Sequence, residues 1–102
     1  MNNSKNQVSP ALDKQDITSI IPPIKTSNTQ AIRFYILMVL TKLPSCSTIE
    51  FKRLGVHALA PRIWDLRHKF NCEIDTVAVD EFDDAGVFHK GIARYVLKSS
   101  PV

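Results

Sequence analysis

The apolar positions of this chain keep a helical period up to Asn71 and an alternating one after it. From about Thr29 to Leu43, Ile32, Ile36, Val39 and Leu43 recur at i, i+4, i+7 and i+11, which makes one apolar stripe of a helix. Ser27 or Asn28 can cap its start and Pro44 ends it. Tyr35, Leu37 and Met38 widen the apolar surface, so burial on more than one side is expected. Ser47 stands three residues before Glu50, the spacing of a capping box, and opens a second, short helix with Phe51 and Leu54 pointing inward. Gly55 closes it, because a positive φ is cheap only for glycine, and Val56 plugs the turn from below. A third stripe holds Leu59, Ile63, Leu66 and Phe70, with Pro61 in the first turn and Asn71 as the left-handed stop.

After Asn71 the segments 73–79 and 87–97 are rich in β-branched residues and are separated by the turn-forming run 81–86. They predict a β-hairpin. Residues 1–27 read differently. Asn, Ser, Lys and Gln dominate there, and Pro22 and Pro23 forbid a continuous helix. This is a flexible tail or arm preceding a domain over 28–99. Its isoleucines between Ile17 and Ile24 are costly to leave in water, so the segment is either an arm that packs on the domain or on a second copy, or a loose linker.

Helix, short helix, glycine turn, helix, hairpin is the element order of an α+β winged helix-turn-helix, three helices followed by a β-hairpin wing. In that layout the second helix braces the third, one face of which stands free to enter a major groove, while the hairpin touches adjacent backbone. Charge agrees with such a partner in part. The 102 residues carry a net charge of +3, with 44% hydrophobic and 23% charged residues, ordinary values for one globular domain. From Lys42 to Lys69 six cations face only Glu50 and Asp65, whereas from Glu73 to Asp84 there are six acids and no cation. Met1 to Gln7 lacks the apolar stretch of a signal peptide, and the longest apolar run is too short to span a bilayer, so a cytoplasmic protein is expected. In that compartment Cys46 and Cys72 read as reduced core thiols sooner than as a bridge.

Residues 45–97 resemble a family of small winged helix-turn-helix proteins of phages, prophages and related mobile elements. The matching stretches are Ser47-Thr-Ile-Glu50, Leu54-Gly-Val56, Pro61-Arg-Ile63, Leu66-Arg67, Ile74-Asp-Thr76, and His89 with Ala93-Arg-Tyr-Val-Leu97. The resemblance implies a DNA-binding protein. This chain departs from the family at Phe51, where a small residue is usual, and at Phe70-Asn71, where a glycine is often found.

With the third stripe facing inward, the opposite face holds Pro61, Trp64, Asp65 and His68, flanked by Arg62 and Arg67. Arg62 and Arg67 suit phosphates or a guanine edge, although Arg62 can instead pair with Asp65 at i+3. Lys52 and Arg53 suit phosphates or form a solvated helical face, and Ser47 and Thr48 sit where a helix N-terminus can meet a phosphate. His57 in the turn and Lys90 on the return strand complete the expected DNA-binding set; Arg94 on that strand is a further candidate for the backbone. Trp64 either packs on the hairpin or stands out for a base, a sugar or a partner. His57, His68, His89, Cys46 and Cys72 show no paired ligand spacing, so no metal and no cofactor is expected. The acids Asp80 to Asp84 lie on a turn without a phosphate-handling motif, which argues against an enzyme. They would also be repelled by phosphates, so the hairpin tip is not expected to grip DNA. Double-stranded DNA is the expected partner, with a role as a transcriptional regulator or as an architectural recombination factor of a phage or mobile element. A homodimer, and a protein adaptor acting through the acidic hairpin, are the other partners this pattern admits.

Overall fold

In the computed structural model, which describes residues 17–101, the first stripe forms α1 (Thr29–Lys42). Asn28 is its cap: the side-chain oxygen accepts from the Ala31 amide at 2.9 Å. Ile36, Leu37, Val39 and Leu40 are its buried residues, while Ile32 and Leu43 at the two ends of the stripe are half-buried. A two-residue strand, β1 (Cys46–Ser47), follows directly. Then comes α2 (Thr48–Arg53), opened by the complete capping box: the Glu50 amide donates to Ser47 Oγ at 3.1 Å and the Ser47 amide to Glu50 Oε1 at 3.0 Å.

Gly55 turns the chain at φ 95°, and Val56, buried, donates from its amide to the Phe51 carbonyl. α3 (Leu59–His68) buries Leu59, Ile63, Asp65 and Leu66. Asn71, at φ 56°, takes the left-handed conformation after it. Phe70 was expected in the buried stripe, but the helix ends at His68 and the ring lies beyond it, 37% exposed, under the Arg33 guanidinium at 5.0 Å.

The alternating segments form β2 (Glu73–Phe82) and β3 (Phe88–Ser99), antiparallel from Ile74 opposite Leu97 to Phe82 opposite Phe88. β1 pairs with the other side of β3 through Cys46 and Tyr95, so the sheet has three strands in the order β1-β3-β2 where sequence alone predicts two. Two residues carry too little pattern to register as a strand. Between Val79 and Glu81 the register shifts: Lys90 and Gly91 of β3 together oppose Asp80. Gly91 sits at φ 69°, and its amide donates to Asp80 Oδ1 at 3.1 Å, which satisfies a group the bulge takes out of the ladder.

The isoleucine segment lies against its own domain. After a helical turn over residues 17–20, Ile17 and Ile21 enter the core beside Ile36, Phe51 and Leu54. The Ile24 amide donates to the Leu54 carbonyl at 2.9 Å, and Tyr35 Oη donates to the Pro22 carbonyl at 2.8 Å. Residues 1–16 of the expected tail lie outside the described residues. The architecture is α+β: four helical segments packed on one three-stranded antiparallel sheet.

Candidate nucleic-acid interface

The position of α3 is fixed from two sides. Toward α1, Asp65 is buried and gathers three cations: Arg33 Nη1 at 3.1 Å, Arg62 Nε at 3.3 Å and Lys69 Nζ at 3.8 Å. A buried carboxylate is tolerated only when paired in this way, and the pairing ties the two helices together. Helical counting gives Asp65 the outward face with Pro61 and Trp64; the ion pair with Arg33, a residue thirty-two positions away, turns it inward instead. Toward the sheet, Arg67 donates to the Ile74 carbonyl from Nε at 3.0 Å and Nη2 at 2.7 Å, and to Thr76 Oγ1 at 2.6 Å.

Both flanking arginines are therefore engaged inside the fold. Arg62 also donates from Nη1 to Thr29 Oγ1 at 3.3 Å. What α3 leaves outward is Ala60, Pro61, Trp64 and His68, all exposed. Trp64 is 54% exposed; its ring lies 4.5 Å from that of His68, tilted by 32°. Ala58 precedes the helix without a side-chain cap, and no acid occupies the first turn. His57 is exposed in the turn leading to this end.

The α2 residues face a different feature, a cleft of about 410 Å³ between that helix and the end of the hairpin, lined by Thr48, Lys52, Arg53, Asp84 and His89 among others. Arg53 Nε meets Asp84 Oδ1 at 2.6 Å, and its buried Nη1 has no hydrogen-bond partner. Lys52 is exposed with no ion pair among the described residues, and Lys90 is exposed on β3. Two expected contacts change character here. Ser47 is buried with its hydroxyl taken by the capping box, so it faces no phosphate. Thr48, half-buried, donates from Oγ1 to the Ala93 carbonyl at 3.2 Å.

The acids of the hairpin are not a bare negative tip. Asp83 Oδ1 accepts from the amides of Ala85 and Val87, each at 2.9 Å, and Oδ2 lies 2.9 Å from His89 Nε2. The His89 hydrogen bond, then the Val87 amide, hold the Asp83 carboxyl below its ordinary range. Glu81 pairs with Arg94 at 2.6 Å, and Arg94 also reaches Glu50 at 3.2 Å and Ser45 Oγ at 2.7 Å. Arg94 is thus the hub joining hairpin, α2 and the loop before β1. Its neighbours in the fold are remote in sequence; the position reads from sequence as a candidate for the DNA backbone, but its guanidinium is taken up by Glu81, Glu50 and Ser45. Beyond these pairs the hairpin exposes Phe82, Val87 and Phe88, with the two phenyl rings 5.2 Å apart.

No protein-family model, curated protein or solved structure matches this chain. Among the described residues no helix is long and apolar enough to cross a membrane, and no three His, Cys, Asp or Glu side chains are grouped to hold a metal ion. Cys46 and Cys72 are free and buried, and burial, reinforced by Glu50, pushes the Cys46 thiol well up.

Proposed function

We propose that this protein is a DNA-binding module of the winged helix-turn-helix kind, in which α2, the Gly55 turn and α3 form the helix-turn-helix and the β2–β3 hairpin is the wing. Its partner is duplex DNA, and its role is that of a transcriptional regulator or an architectural recombination factor of a phage or mobile element. One observation carries the reading. α3 is anchored along one side by Asp65 and Arg67 and leaves the other side, Pro61, Trp64 and His68, open to solvent. A helix held in that way presents a rigid, protruding face of the size a major groove admits. Uncapped amides at the start of α3 and the exposed Lys52 and Lys90 supply groups for phosphate.

Trp64 is the sole tryptophan, so the face reports on itself. Titration with duplex DNA is expected to change Trp64 emission, and log K is expected to fall linearly with log salt. An emission that stays constant up to high DNA concentration at low salt removes this reading. A second reading, a protein-interaction adaptor, is favoured by the exposed Phe82, Val87 and Phe88 at the hairpin end. An adaptor would retain its partner after Trp64→Ala and lose it after Phe82→Ser with Phe88→Ser.

A further inference from the structure

We infer that the outward face of α3 reads the C5-methyl groups of pyrimidines in duplex DNA, an inference that rests on the DNA-binding reading. The argument is one of chemistry left over after the fold has taken its share. Side chains discriminate bases in the major groove in a few ways: Arg or Lys to guanine, Asn or Gln to adenine, an acid to cytosine, and an apolar group to the thymine methyl. α3 contains no Asn, Gln, Glu or Lys. Its acid, Asp65, is buried against Arg33. Its two arginines are spent, Arg62 on Asp65 and Arg67 on the Ile74 carbonyl. The third arginine near the helix-turn-helix, Arg53, is held by Asp84.

What remains exposed is Ala60, Pro61 and the Trp64 ring, with His68 lying against that ring. The N-terminal half of such a helix is the part that meets base edges. Here that half offers the Ala60 methyl and the Pro61 pyrrolidine, and the Trp64 indole follows at the midpoint of the helix. In the major groove the apolar feature able to match them is the methyl group on C5, carried by thymine and by 5-methylcytosine. Each methyl group removed from water against this face contributes about fourfold in affinity. Cations that can position the helix without reading sequence, Lys52 and Lys69, are exposed nearby in the chain.

The test compares four alternating duplexes, dA-dT, dA-dU, dG-dC and dG-5-methyl-dC, by Trp64 emission and by anisotropy of labelled DNA. The dA-dT duplex is expected to bind more tightly than dA-dU by about fourfold for each methyl group contacted. A parallel gain for methylated over unmethylated dG-dC assigns the recognition to the methyl group from either source; a gain confined to thymine adds its O4 to the contact. In Trp64→Ala, read by anisotropy and checked to melt as the unaltered protein does, the difference between dA-dT and dA-dU is expected to disappear. Equal binding of dA-dT and dA-dU by the unaltered protein overturns the inference and leaves the DNA-binding reading standing. Binding to none of the four overturns both. Emission that responds to protein concentration but not to DNA gives the face to a second copy of the chain and likewise overturns the inference.

Discussion

Arg67 donates twice to one acceptor, the carbonyl oxygen of Ile74, from Nε at 3.0 Å and from Nη2 at 2.7 Å. The acceptor belongs to the start of β2 and the donor to the last turn of α3. A residue whose position suggests a free phosphate contact is thereby the strut that sets α3 against the sheet. Charge-assisted hydrogen bonds of this kind contribute more than neutral ones, and the paired fork is specific to arginine.

Arg67→Ala is therefore expected to lower stability by about 1–2 kcal/mol, read from the denaturant midpoint. Arg67→Lys keeps the charge but not the fork and is expected to recover less than half of the loss. A midpoint unchanged by either substitution would show that the contact is not stabilising.

The Gly55 turn makes a second, separable prediction. A Cβ at this position would stand 2.3 Å from the Ile24 carbonyl oxygen, and φ is 95°. Gly55→Ala is expected to cost about 2 kcal/mol, part from the backbone conformation and part from displacing Ile24. Deleting residues 1–26 is expected to lower the melting temperature by itself, because Ile17 and Ile21 leave the core. In the shortened chain Gly55→Ala should cost less, since the carbonyl it strikes is gone; a thermodynamic cycle measures the difference. Equal costs in both backgrounds would dismiss the steric part.

Much of the fold is legible in the sequence where a local rule acts. The Ser47–Glu50 box, the Gly55 turn, Pro61 in the first turn of α3 and left-handed Asn71 are all short-range devices that need no knowledge of the rest of the chain. The candidate site is less legible because its side chains are assigned by distant partners. Helical counting gives Asp65 an outward direction, yet Arg33 on α1 decides it. Charge counting makes the hairpin turn repulsive to phosphate, yet Arg53, His89 and Arg94 engage three of its acids. Trp64 stands 54% exposed, an outcome that helical counting alone leaves open between packing on the hairpin and facing solvent.

The Arg53–Asp84 pair bears on affinity more than on stability. Asp84 is well exposed, so the pair is worth little to the fold, and Asp84→Asn is expected to leave the melting temperature unchanged. It frees the Arg53 guanidinium beside Lys52, and DNA binding is expected to strengthen severalfold with a salt slope steeper by about one. Adding Arg53→Ala should cancel the gain. Weaker binding in Asp84→Asn would mean that the acid helps to place the hairpin on its partner.

Alkali should find a weak point at the sheet. Burial raises the Cys46 thiol above its ordinary value of 9.0, and burial followed by the nearness of Cys46 raises Tyr35 above 10.0. Above about pH 9 the unfolded chain therefore releases a proton that the folded chain retains, so the folded state binds more protons and stability falls as pH rises. The denaturant midpoint is expected to be flat in this respect below pH 9 and to decline above it, with a shallower decline in Cys46→Ala. A native protein whose thiols react at pH 8 as fast as in the denatured chain would contradict the burial on which this rests.

β1 supports β3 only opposite Tyr95 and Arg94. From Ile92 outward the two long strands pair only with each other among the described residues, which makes the hairpin a cantilever clamped at its base. Near its free end an exposed ion pair, Asp84 with Arg53, is the salt bridge that holds it to α2 among the described residues. A beam loaded in this way deflects most at the tip, and the tether slackens as salt screens it. The spacing between α2 and the hairpin end is therefore the dimension expected to respond to ionic strength.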